Sequence, residues 1–290
     1  MRFEKWQALG NDYLIVEADE LPFELTPARV RRLCEGHFGV FADGVLELSR
    51  PRNPEHVADL RIFNPDGSEA ELSGNGAREA ILYLRRHWTD REEFAIKTVA
   101  GEIRPTITGP DTCKVDMGVA RLQSADFPAG PENGRGTVAA AGRAWDFQHV
   151  SIGNPQCAIR IGSEAELAGL DLGAAGPGIE GDARFPNRTN VSWYTELDSG
   201  PPARIKARIF ERGVGETLSS GTGATGAAIA YLLDEDGGPG APARVIVVLD
   251  GGELEVEVGE DLRVNLTGWA RAVFAGELSE ELLKELDQLA

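Results

Sequence analysis

The chain has 290 residues, 42% hydrophobic and 26% charged, which suits two globular domains of ordinary size rather than one. A formal net charge of −18 excludes the basic surface that nucleic acid binding needs and reads as a device for solubility. Three cysteines at long spacings, Cys34, Cys113 and Cys157, fit neither a disulfide framework nor a metal knuckle, and no segment approaches the roughly 18 apolar residues of a membrane span.

The N-terminal MRFEKWQALGNDYLIVEADE has no apolar signal core, so a cytoplasmic location is expected. In chain order, DYLIVEA reads as a strand, Thr26 to Glu35 as a helix with Pro27 in its first turn, and DLRIFN as a second strand. A helix follows Ser73, with apolar residues at Ala77, Ala80, Ile81 and Leu84, the spacing of one buried face. EFAIKTV, EIRPTI and KVDMG are further strands. Gln123 to Trp145, rich in Gly, Pro and Ala, reads as a linker. Beyond it CAIRIG and RIKARIF are strands, and a second helix follows Ser220 with Ala224, Ala227, Ala228 and Tyr231 on one face. ARVIVVLD, ELEVEVG and LRVNLTG complete the strands, and Ser279 to Ala290 reads as a terminal helix.

These signals occur twice. RIFNPDGSEAELSGNGAREA from Arg61 aligns without gaps on RIFERGVGETLSSGTGATGA from Arg208, with identical residues at Arg61, Ile62, Phe63, Glu69, Ser73, Gly74, Gly76, Ala77 and Ala80. Upstream, ALGNDYLIVEADE answers SIGNPQCAIRIGSEAE; downstream, KTVAGEIRPTI answers VLDGGELEVEV and KVDMGVAR answers RVNLTGWAR. Four segments recurring in one order point to duplication. The expected fold is α/β (α+β): two pseudo-symmetric, mostly antiparallel β domains, each wrapped around a central helix. The expected boundaries are 1–122 and 123–271, followed by a tail helix over 272–290.

Each domain has a Ser-Gly-x-Gly start to its helix. A helix N-terminus exposes N–H groups and partial positive charge, so it suits a carboxylate or phosphate. Taken singly, each start reads as a plain helix cap more readily than as a site. The pairing, with Asn64 ahead of one start and Glu211 and Arg212 ahead of the other, suggests a small anion held from both ends, at a domain interface of the kind that favours pockets.

The motifs LGND at Asn11, FNPDG at Asn64, GNGAR from Gly74, GNP at Asn154, NRTNV at Asn190, ERGxGET from Glu211 and the following SGTGA together resemble diaminopimelate epimerase. The resemblance implies a cofactor-independent isomerase, with no metal, that inverts an amino-acid α-carbon using one acid/base group on each face. In that family both groups are cysteines, at the positions of Ser73 and Ser220. It places ligand binding at Asn11, Asn64, Gly74, Asn75, Asn154, Asn190, Arg212, Gly221 and Thr222, with Gln156 where the family has histidine. Arg212 would pair with a carboxylate.

The departures lie in the proton-transfer groups. A thiol titrates near 8.5, whereas a serine hydroxyl needs an adjacent base. Gln156 does not exchange protons at neutral pH, and Glu79 replaces another cysteine common in the family. Glu211 is the best candidate base, and its other reading is a structural ion pair with Arg212 or a neighbour. Alternatives to α-carbon inversion are an isomerase or dehydratase on another small carboxylate with Glu211 as its single acid/base, and an inactive ligand-binding homologue. The expected partner is a small-molecule amino acid or carboxylate, not nucleic acid or a membrane, and a homodimer is left open. His37, His56, His87 and His149 lack metal-ligand spacing, and neither a dinucleotide fingerprint nor a hydrolase elbow is found.

Overall fold

The computed structural model describes residues 1–71, 73–235 and 242–289. The chain divides into two compact units, Met1–Val115 with Gly268–Ala290, and Asp116–Thr267. The divisions fall earlier than residues 122 and 271, because β9 (Thr112–Val119) and β18 (Arg263–Trp269) each run from one unit into the other.

In the first unit the chain runs β1 (Arg2–Ala8), β2 (Asn11–Glu17), α1 (Pro27–Cys34), β3 (Val45–Ser49), β4 (His56–Phe63), β5 (Glu69–Ala70), α2 (Gly74–His87), β6 (Ala95–Thr98), β7 (Gly101–Ile103) and β8 (Thr106–Gly109). The sheet order is β1-β2-β3-β4-β6-β7, with β5 paired to β4. The β2–β3 and β4–β6 pairs are parallel, and each is joined by a helical crossover, α1 and α2 respectively. The second unit repeats this wiring. It runs β10 (Arg135–Ala140), β11 (Arg143–Ser151), β12 (Pro155–Arg160), α3 (Glu164–Ala168), α4 (Leu172–Glu180), β13 (Asn190–Asp198), β14 (Ala203–Glu211), β15 (Gly215–Thr217), α5 (Gly221–Glu235), β16 (Ala243–Leu249) and β17 (Gly252–Val258), then enters β18. The order β11-β12-β13-β14-β16-β17 with β15 on β14 matches the first unit strand for strand, and β12–β13 and β14–β16 are again the parallel pairs. The duplication read from four segments of sequence is therefore a duplication of topology.

Each sheet surrounds a helix. On α2 the expected face of Ala77, Ala80, Ile81 and Leu84 is at most 1% exposed, and burial extends right round the helix from Asn75 to Leu84. On α5, Ala224, Ala227 and Ala228 are fully buried and Tyr231 is 4% exposed. A helix enclosed on all sides carries small residues where strands press closest. On α5 that residue is Gly226, where an added Cβ would lie 2.8 Å from Gln156 Cβ on β12.

Two readings of the sequence are corrected. Residues 123–145 are not simply a linker: they hold β10 and the start of β11, whose Val138, Ala140 and Trp145 enter a core with Phe127, Phe147 and Phe185. Small residues in β10 pack against larger partners and so carry no β signal of their own. The tail after residue 271 is not all helix. β19 (Arg271–Glu277) pairs antiparallel with β1, and only Glu280–Gln288 forms α6, capped by Ser279. Leu278 and Leu286 join Phe3, Leu14, Val30 and Leu33 in the first unit's core, which ties the tail to α1. Ala290, the last residue of the expected tail helix, lies outside the described residues.

Candidate active site

The N-terminal half-site is built where α2 begins. Ser73 has extended backbone and caps the helix, its Oγ accepting from the Gly76 N–H at 3.1 Å. By helix geometry the N–H groups of Gly74 and Asn75 have no acceptor in their own helix, so this end suits an anion. The β1–β2 turn lies beside it. Gly10, at φ +86°, makes that turn and delivers Asn11 to the helix start. Asn75 Nδ2 donates to Asn11 Oδ1 at 3.2 Å, and Asn11 Nδ2 donates to Asp43 Oδ2 at 2.8 Å. Arg78, fully buried, holds Asn75 Oδ1 at 2.5 Å and the Gly74 carbonyl at 3.0 Å. Asn64 sits in the turn after β4, where Nδ2 donates to Ser68 Oγ at 2.9 Å.

Two carboxyls near this helix start, buried Glu79 and half-buried Asp12, are raised by their surroundings. Burial pushes the Glu79 carboxyl well above its ordinary value, with the Arg78 guanidinium and the Tyr13 backbone N–H opposing the shift. Burial therefore favours the protonated form of Glu79 behind the helix start. Burial likewise raises Asp12, against the lowering pull of Lys5 at 3.1 Å.

The C-terminal half-site repeats the plan with different chemistry. Ser220, 4% exposed, caps α5 and accepts from the Gly223 N–H at 3.3 Å. Its hydroxyl donates to Glu211 Oε2 at 3.0 Å, and Thr217 Oγ1 donates to Glu211 Oε1 at 2.9 Å. Glu211 thus holds a serine on one oxygen and a threonine on the other. The Arg212 guanidinium turns to the Asn187 carbonyl at 2.7 Å. Gly153, at φ +84°, makes the β11–β12 turn and places Asn154 as Gly10 places Asn11. Asn154 Nδ2 donates to Thr222 Oγ1 at 3.2 Å, and Gln156, fully buried, donates from Nε2 to Asn154 Oδ1 at 2.7 Å. Asn190 ties the loops together, giving Nδ2 to the Pro155 carbonyl at 3.1 Å and accepting the Arg212 N–H at 2.9 Å.

Each helix start therefore collects its own set. Ser73, Gly74, Asn75 and Asn11 meet at α2; Ser220, Gly221, Thr222, Asn154, Gln156 and Glu211 meet at α5, with Asn190 and Arg212 adjoining. Sequence reasoning missed Tyr13, whose hydroxyl lies 3.2 Å from Ser73 Oγ, and Thr217. Tyr13 occupies the repeat position of Gln156, the one available sequence signal. The cysteines take no part: all three are free and buried, and burial pushes the Cys34 and Cys113 thiols up to about 12.

A family model described as diaminopimelate epimerase matches residues 3–123 and 148–273. A curated diaminopimelate epimerase of Synechococcus sp. (strain JA-3-3Ab) is 38% identical over 289 residues, spanning 97% of this chain and 99% of its own. Among solved structures, a phenazine biosynthesis protein of Bacillus anthracis is similar with a TM-score of 0.72 at 18% identity, covering 96% of this chain and 99% of that one. A probable proline racemase of Agrobacterium radiobacter K84, with bound carbonate, gives a TM-score of 0.67 at 14% identity, covering 96% and 93%. At such identities the solved structures speak for the fold alone.

Proposed function

The chain belongs to the diaminopimelate epimerase family, and from that premise we propose that it inverts the α-carbon of an amino acid by two-group proton transfer, with diaminopimelate the first substrate to test. The observation that carries the reading is the Ser220–Glu211 hydrogen bond at 3.0 Å, set at the N-terminus of a buried helix. A serine alone is a poor base, and a carboxylate that accepts its proton supplies what it lacks. In this reading Ser220 takes the α-proton while its own proton passes to Glu211. Ser73 supplies a proton to the opposite face. The N–H groups at the starts of α2 and α5 stabilise the substrate carboxylate as negative charge builds in the transition state.

Asn11, Asn64, Asn75, Asn154, Asn190, Thr222 and Arg212 orient the amino acid, Arg212 through its planar guanidinium. Gln156, fully buried, acts on the ligand through Asn154.

The test is proton NMR in D2O with LL- and meso-diaminopimelate. Loss of the α-proton signal together with formation of the other stereoisomer supports the reading. Folded protein that gives neither would remove diaminopimelate as substrate. Exchange or double-bond migration on another carboxylate would then favour Glu211 acting as the single acid/base.

A further inference from the structure

The two half-sites are unequal, and the inequality assigns a role to a residue that the motifs leave out. In the repeat, Asn64 aligns with Glu211, yet it is Ser68 in its own turn, not Ser73, that Asn64 Nδ2 meets. The polar group at Ser73 comes instead from β2. Tyr13, 5% exposed, brings its hydroxyl to 3.2 Å from Ser73 Oγ. The ring is held there because residue 44 is glycine: a Cβ at Gly44 would lie 2.5 Å from Tyr13 Cε1 and 2.3 Å from the Phe63 carbonyl.

A serine hydroxyl has one proton and two acceptor sites. At Ser73 the two acceptor sites face donors, the Gly76 N–H at 3.1 Å and the Tyr13 hydroxyl at 3.2 Å, which leaves its own proton to be given away. At Ser220 the proton is already directed at Glu211 and, among the described residues, the Gly223 N–H is the donor to the oxygen, which leaves an acceptor site for an incoming proton.

We propose that Tyr13 is the positioning residue of the N-terminal half-site, fixing Ser73 as the proton donor and replacing the proton that Ser73 gives up. This rests on the two-group reaction proposed above. In the step, the α C–H bond breaks, its proton goes to Ser220 Oγ and the Ser220 proton goes to Glu211. The electron pair left on carbon takes the Ser73 proton on the other face, and Ser73 takes the Tyr13 proton. One proton enters and one leaves the amino acid. The enzyme is left with a protonated Glu211 and a tyrosinate, which solvent restores. Tyr13 does not touch the substrate in this scheme.

Tyr13→Phe keeps the ring against Gly44 and deletes only the hydroxyl. In D2O, starting from the stereoisomer whose α-proton faces Ser220, we expect inversion to fall 10- to 100-fold. Exchange of the α-proton without inversion should persist within about threefold, because general-base removal is untouched. The exchange-to-inversion ratio should therefore rise at least tenfold, with KM nearly unchanged. Ser73→Ala should show the same uncoupling, and Tyr13→Phe added to it should cost nothing further, as for two residues acting through one step. A merely structural Tyr13 would lower exchange and inversion together, or would add its loss to that of Ser73→Ala, and either result overturns the proposal. Absence of any exchange with the unsubstituted protein would instead overturn the underlying reaction and this role with it.

Discussion

Glu211→Gln is the substitution with the clearest expected outcome. In the native site the two carboxylate oxygens accept separate hydroxyls, Ser220 at 3.0 Å and Thr217 at 2.9 Å. Glutamine keeps the shape and one acceptor, but its amide nitrogen donates, so one of the two hydroxyls must reverse its bond and neither meets a negative charge. Exchanging charge-assisted bonds for neutral ones at this half-exposed position should cost about 1 kcal/mol of stability, a small part of the total. The kinetic effect should be far larger. Positioned general-base catalysis contributes about a hundred- to ten-thousandfold, so α-proton exchange should fall by that range while KM changes little. Exchange is read by NMR in D2O and stability by a thermal melt on the same preparation. Exchange retained within about threefold in a folded variant would refute the assignment of Glu211 as base.

Other substitutions probe the supporting structure. Because burial raises the Glu79 carboxyl, the stability it contributes is fully present below the ordinary value of 4.5 and is lost as pH rises toward the raised folded value. Relative to the native protein, Glu79→Gln should therefore gain stability with pH at up to about 1.4 kcal/mol per unit above that ordinary value, measured by denaturant midpoints across a pH series. A difference that stays flat with pH would contradict a Glu79 carboxyl raised by burial. Gly44→Ala drives a methyl into Tyr13 and the Phe63 carbonyl and should destabilise by about 1–3 kcal/mol, read from the same midpoints. Gln156→Leu removes the 2.7 Å bond to Asn154 and should raise KM by about fivefold to tenfold with kcat nearly constant, the loss of roughly one hydrogen bond in orienting the ligand.

Much of this architecture is legible in the sequence because the duplication makes each half a check on the other. The two helices were legible from their apolar spacing, and their serine caps from Ser-Gly-x-Gly. Elements that rely on partners were not. β3 reads VLELS, and its buried Glu47 is met by Arg61 at 3.0 Å across the sheet. α4 contains Gly173, Gly176, Gly178 and Pro177, a loop composition, yet Gly176 is needed where Phe210 packs, since a Cβ there would lie 2.6 Å from the ring. The candidate site divides in the same way. Asn11, Asn154, Ser73, Ser220 and Glu211 sit in motifs, whereas Tyr13 looks like an ordinary strand residue. Only the packing of β2 against the start of α2 brings its hydroxyl to Ser73.

In the proposed reaction one group removes the α-proton and a different group supplies its replacement. The most direct measurement is the isotopic content of substrate and product during the first few per cent of turnover of diaminopimelate in D2O. Two-group transfer predicts product carrying deuterium at the inverted α-carbon, with deuterium entering the remaining substrate more slowly than product forms. Product that retains the original protium, or substrate that gains deuterium as fast as product forms, would show a single group working on both faces and would rule out transfer between two groups.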